Sequence, residues 1–85
     1  MEEIDELSKK ILSLLLFEEQ FSHVYEESGE SNKNIVSDVL KGLIIKDLVK
    51  VYELRGERFI AVNYIEPDHY KGQYFRISAM GMRYL

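Results

Sequence analysis

Ser31-Asn32-Lys33-Asn34-Ile35-Val36-Ser37-Asp38-Val39-Leu40-Lys41-Gly42-Leu43-Ile44-Ile45-Lys46-Asp47-Leu48-Val49 is the stretch that decides how this chain folds. Ser31 or Asn32 is suited to cap a helix through its side-chain oxygen. From there Ile35, Val36, Val39, Leu40, Leu43 and Ile44 recur at helical spacing on one continuous face. Lys33, Asn34, Ser37, Asp38 and Lys41 occupy the opposite face. The pattern predicts a helix over about residues 32–46. After Asp47 the hydrophobic period changes from helical to extended, so the stretch contains a helix and the start of a strand.

Working upstream, Phe21, Val24 and Tyr25 stand at i, i+3 and i+4 within a short segment that Gly29 ends. Glycine just past an amphipathic helix supplies the left-handed stop. Short helix, glycine-containing turn and second amphipathic helix follow the order of a helix-turn-helix. Before them Ile4, Leu7, Ile11, Leu14 and Leu15 form a helical stripe, with Leu12, Leu16 and Phe17 off it. That extra apolar face has two readings: a helix crossing the middle of a small core, or the seam of a dimer.

Downstream, Leu48 to Leu54 and Arg58 to Ile65 are rich in Val, Ile, Phe and Tyr, and Arg55-Gly56-Glu57 between them reads as a hairpin turn. Glu66-Pro67-Asp68 breaks the second run, and a loop continues to Gly72. Tyr74 to Ile77 is a third extended piece, and Ser78 then caps a last short helix containing Met80, Met82, Tyr84 and Leu85. The expected class is α+β, one domain over residues 1–85. It has a three-helix body, a small antiparallel sheet and a short C-terminal helix.

Two stretches resemble winged helix-turn-helix transcriptional regulators of the MarR and PadR kind and their small phage-borne relatives. In residues 31–49, Leu40 and Leu43 match the family's leucine pair, Lys46 its basic residue, and Leu48-Val49 the start of its first wing strand. Asp47 stands where the family has glycine, a departure that Asp tolerates because it visits the left-handed region readily. In residues 77–85, Ile77, Ser78, Gly81 and Leu85 match the closing pattern in register. Together they cover about a third of the chain. The resemblance implies a winged helix whose sheet is the wing and whose recognition helix is residues 32–46. It leaves one conflict. The family form has two main wing strands, and a third would deliver the chain to the wrong end of the sheet. Either one extended piece is not a ladder strand, or the wing is an elaborated hairpin whose excursion spans Arg55 to Gly72.

A regulator of that kind binds double-stranded DNA. A recognition helix needs short polar or basic side chains that reach base edges and phosphates in the major groove. Asn34, Ser37 and Lys41 share the outward face with Lys33 beside them, while Arg55 and Arg58 flank the hairpin turn and Lys71 lies in the later loop. Against this stand Asp38 on the same face and Glu26, Glu27 and Glu30 just before it. The net charge is −4, divided unevenly: residues 1–31 hold Lys9 and Lys10 against nine acids, −7, and residues 32–85 hold nine bases against six acids, +3. The alternative is a winged-helix module that binds a protein and no DNA. A contiguous positive stripe across the recognition helix and wing would favour DNA; an acidic or aromatic surface there would favour protein. A subset of Tyr52, Phe59, Tyr64, Tyr70, Tyr74 and Phe75 is available for such a surface or for strand pairing. One helix and one wing bury little area for specific recognition, so a homodimer is expected, through the first helix or a sheet edge.

Other chemistry finds little support. There is no cysteine, which removes disulfides and thiolate sites and fits a reducing, cytoplasmic compartment. His23 has helical spacing to Glu26 and Glu27, but two ligands do not make a metal site, and His69 reads as a surface loop residue. Ser22 beside His23 is not triad geometry. No enzyme activity, cofactor or metal is expected. The longest apolar run, Leu14 to Phe17, is far below the roughly 20 residues of a membrane span.

Overall fold

The computed structural model describes residues 4–66 and 70–85. Its first helix, α1 (Glu6–Leu14), starts where an Asp5 carboxylate oxygen accepts the Ser8 backbone N–H at 2.7 Å. That bond holds the Asp5 carboxyl below its ordinary range. Ile11, Leu12 and Leu15 are fully buried. α1 ends before Leu16 and Phe17, which lie exposed on the turn beyond it. Leu12 is therefore a core residue, and it offers no side chain to a dimer seam. Adding Leu12 to Ile11 and Leu15 widens the buried stripe, as suits a helix packed against two others.

The turn leads into a two-residue strand, β1 (Glu19–Gln20), that the hydrophobic pattern does not reveal. α2 (Phe21–Ser28) follows and stops at Gly29, which has the left-handed φ of 79°. α3 (Lys33–Ile45) is capped by Asn32, not Ser31: the Asn32 side chain accepts from the Asn34 backbone N–H at 2.9 Å. Val36, Leu40 and Leu43 are buried, Val39 and Ile44 half-buried, and Ile35 exposed. At its end Asp47 takes φ 65°, the Asp47 N–H bonds to the Ile44 carbonyl, and the Leu48 N–H bonds to that of Leu43. This paired closure, with buried Leu48 packed after it, is the Schellman arrangement that usually employs glycine.

Three further strands follow: β2 (Val49–Arg55), β3 (Arg58–Val62) and β4 (Gln73–Ile77). All are ladder strands, in one antiparallel sheet of order β1-β4-β2-β3. The second extended run ends at Val62 rather than Ile65. The order resolves the conflict over the third strand. β4 does not continue the meander past β3 but returns on the far side of β2, between β2 and β1. The chain between β3 and β4 makes that crossover, and Ile65 and Tyr70 pack on the core. The expected break at Pro67-Asp68 and the loop placement of His69 lie outside the described residues. Val49, Val51, Phe75 and Ile77 face the helices and are buried.

Ser78 closes the fold. Its hydroxyl donates to the Asp47 carbonyl at 2.7 Å and accepts from the Gly81 N–H at 3.0 Å, starting α4 (Ala79–Met82) against the α3–β2 corner. α4 is shorter than expected, and Tyr84 and Leu85 lie beyond it. The chain is thus a small α+β domain with four helices and a four-stranded antiparallel sheet among the described residues.

Two outcomes test this account. A methyl group on Gly81 would collide with the Leu48 carbonyl and with Ile77 Cγ1. Gly81→Ala should therefore cost about 1–3 kcal/mol in urea unfolding. Asp5→Ala should cost about 1 kcal/mol at neutral pH. Because the folded-state pKa of Asp5 is depressed from 3.8, the cap's contribution is complete above that value and lost as pH falls through the folded one. The difference between wild type and Asp5→Ala should close in acid.

Candidate functional site

α3 and the β2–β3 hairpin carry the residues expected to meet DNA, and the structure divides them. Asn34, Ser37 and Lys41 come together along one groove of about 500 Å³, walled on its other side by Ile65, Glu66 and Tyr70. The crossover therefore covers one flank of α3. Ser37 is half-buried, and its hydroxyl is 2.9 Å from the Tyr70 hydroxyl. Tyr70 donates its own proton to the Ser37 carbonyl at 3.0 Å, so Ser37 supplies the proton of the other bond. Ser37 anchors the crossover. Lys41 is exposed, but Asp38 and Glu66 share its groove. The outward side of α3 also presents exposed Ile35 and, at 77% exposure, Ile45.

Lys33 turns away from this groove. Its ammonium lies 5.4 Å from the centre of the Tyr25 ring, at the lip of a second hollow of about 440 Å³ between α2 and residues 70–73. Arg55 and Arg58 sit directly opposite each other where β2 and β3 meet the turn. Arg55 pairs with Glu53 at 3.2 Å, and the Tyr64 hydroxyl donates to the other Glu53 oxygen. Tyr64 and then Arg55 hold the Glu53 carboxyl below its ordinary range, and Glu53 in turn pushes the Tyr64 hydroxyl up. Arg58 remains exposed at the tip.

The surface that the sequence reading underweighted is the outer face of the sheet. Strand alternation puts Lys50, Tyr52 and Leu54 of β2, Phe59 and Ala61 of β3, and Tyr74 and Arg76 of β4 on that face. Tyr52 pairs with Tyr74 and Leu54 with Phe59, and the Phe59 and Tyr74 rings meet edge-on at 5.0 Å. Leu54 and Phe59 are 45% and 42% exposed. At the other end of the face lie Lys50 and Arg76, opposite each other and above exposed Leu16 and Met82. Each cation has an acid: Lys50 meets Asp47 at 2.9 Å, and Arg76 meets Glu18 at 3.0 Å. The Asp47 contact raises the Lys50 pKa. The signal available in sequence was that β2 has apolar residues at both even and odd positions, Val49 and Val51 against Tyr52 and Leu54.

His23 meets Glu19 at 3.7 Å rather than Glu26 or Glu27. Among the described residues no three potential metal ligands cluster, and no helix is long and apolar enough to cross a membrane. Comparison with known protein families, curated proteins and solved structures returns no match to this chain.

If Ser37 anchors the crossover, its loss and that of its partner should appear as stability. Tyr70→Phe leaves the Ser37 carbonyl and hydroxyl short of a partner, and Ser37→Ala removes one bond. Each should cost about 1–2 kcal/mol in urea unfolding, and the double variant should cost less than the sum. Additive costs would show that the two residues act separately.

Proposed function

We propose that the chain is a winged-helix domain that acts by binding a protein partner through the outer face of its sheet. The fold reading rests on element order. A short strand between the first two helices pairs with the last strand, which lies beside the strand following α3. β3 and the crossover elaborate the wing. The functional reading rests on one observation: the outer face is aromatic and aliphatic, and the cations at its end are each paired with a carboxylate. A polyanion needs uncompensated cations, because releasing its counterions drives the binding. A face of Tyr52, Leu54, Phe59 and Tyr74 with its charges paired instead suits a partner that buries apolar area. The overall charge of −4 accords with this. The reading includes no catalysis, and the absence of cysteine accords with a cytoplasmic setting.

Duplex DNA is the second reading, favoured by exposed Asn34 and Lys41 on α3 and exposed Arg58 at the hairpin tip. Lys33 and Arg55 would join them on leaving Tyr25 and Glu53. Titration of a labelled duplex at two salt concentrations separates the two readings. We expect no saturable binding even at low salt. Binding that weakens with salt and is lost when Lys33→Ala and Lys41→Ala are combined would establish the DNA reading. In cells, a photo-crosslinking amino acid at position 54 should yield protein adducts, and one at position 41 no nucleic-acid adduct.

A further inference from the structure

β3 is the open edge of the sheet. Its inner neighbour is β2, and no described strand lies on its other side. Arg58, Phe59, Ile60 and Ala61 are all exposed. The opposite edge, β1, is only two residues long. An apolar edge strand without proline or lysine is a template for another strand, and natural proteins rarely leave one uncovered.

The hairpin geometry fixes which backbone groups the edge presents. The turn has two central residues, Gly56 and Glu57, with Gly56 at φ 65° and no left-handed φ at Glu57, the II′ form. In such a hairpin the flanking pair, Arg55 and Arg58, exchanges both backbone hydrogen bonds, and bonded pairs then alternate. Arg58, Ile60 and Val62 therefore bond inward to β2. The N–H and C=O groups of Phe59 and Ala61 point outward.

That outward set is self-complementary. In an antiparallel pairing of two copies centred on Ile60, Phe59 of each copy stands opposite Ala61 of the other, and these are the residues with free backbone groups. Ile60 meets its mate at the non-hydrogen-bonded position, where side chains approach most closely. Phe59 and Ala61 lie on the outer face, so the seam continues the apolar surface formed by Leu54, Phe59 and Tyr74. Charge agrees with the register. Arg58 falls opposite Val62 and Glu57 opposite Asn63, so no like charges oppose. Arg58 of one copy also shares a face with Glu53 of the other, roughly 12 Å away at Cα by ideal strand spacing and within reach of two long side chains.

We propose that β3 also binds a second copy of this chain, in antiparallel register about Ile60, to make one continuous sheet. This rests on the reading of the sheet as a protein-binding element and adds its open edge to the outer face.

Sedimentation velocity across the micromolar range should show the wild type as a reversible dimer. Ile60→Lys and Ile60→Glu each place like charges in contact at the two-fold axis, and each should weaken the dimer at least about tenfold. Exposure of Ile60 at the edge should leave both folded by circular dichroism. Mixing the two variants should restore association, with native mass spectrometry showing the mixed dimer in excess of either homodimer. Ala61→Pro removes only an outward N–H and should also give a folded monomer. A wild type monomeric throughout, a dimer that survives Ile60→Lys, or variants that fail to re-associate when mixed would overturn the proposal. A monomer that ignores duplex DNA would overturn the edge pairing and leave the outer-face reading standing. Salt-dependent DNA binding by an intact dimer would do the reverse.

Discussion

The hydroxyl of Tyr70, donating to the Ser37 carbonyl and accepting from the Ser37 side chain, is the contact on which the arrangement turns. It sits where the crossover runs along the flank of α3. The ring beneath it is buried between Phe21 and Phe75, each 5.1 Å away between centres. Gln73 fixes the other half of the crossover. Its buried amide donates to the Tyr64 carbonyl and accepts the Glu66 N–H. Where a chain segment packs on the core, its backbone polar groups need partners. Gln73 meets that demand at Tyr64 and Glu66, Ser37 satisfies the Tyr70 hydroxyl, and no described buried side-chain nitrogen or oxygen is left without a partner. With the crossover held, β4 can lie between β1 and β2. The same contact covers a flank of α3, so one device sets the strand order and narrows what the helix can touch.

Much of the body was legible because its signals are local. Gly29 stops α2, a capping residue before Lys33 starts α3, Asp47 takes the left-handed turn, and Ser78 caps α4. Each is decided within a few residues by side-chain chemistry. The parts that were not legible depend on distant partners. Glu19 and Gln20 carry no strand pattern and become β1 only because β4 offers them a free ladder. Leu12 looks off-stripe until α2 and α3 are packed on both sides of α1. Ser37 is polar on a polar face, and only the position of Tyr70 shows that its hydroxyl is committed. Tyr70 itself reads as a loop aromatic, yet it is among the most buried residues.

Charge shows the same contrast between sum and arrangement. The sequence separates an acidic front from a basic back, which suggests a dipolar molecule. The fold partly cancels that dipole by joining Glu18 to Arg76, and it settles other cations locally, Lys50 on Asp47 and Arg55 on Glu53. Exposed pairs of this kind add little stability, about 0–1 kcal/mol each. Their effect is on the field: a paired cation draws a distant phosphate weakly. On the outer face of the sheet, what is left between the paired charges is aromatic and aliphatic.

The pairing of β1 with β4 also governs how the chain reaches this state. Glu19 stands opposite Phe75, the Leu15 carbonyl accepts the Ile77 N–H at 2.7 Å, and Glu18 holds Arg76. These contacts join residues near opposite ends of the sequence, so the loop they close spans most of the domain. Such closure forfeits its entropy before any long-range contact compensates, which places it late in folding. On the ribosome the helices and the β2–β3 hairpin can form as they emerge. The sheet stays incomplete, with β2 open on the side that β4 will take, until Ile77 is clear of the exit tunnel.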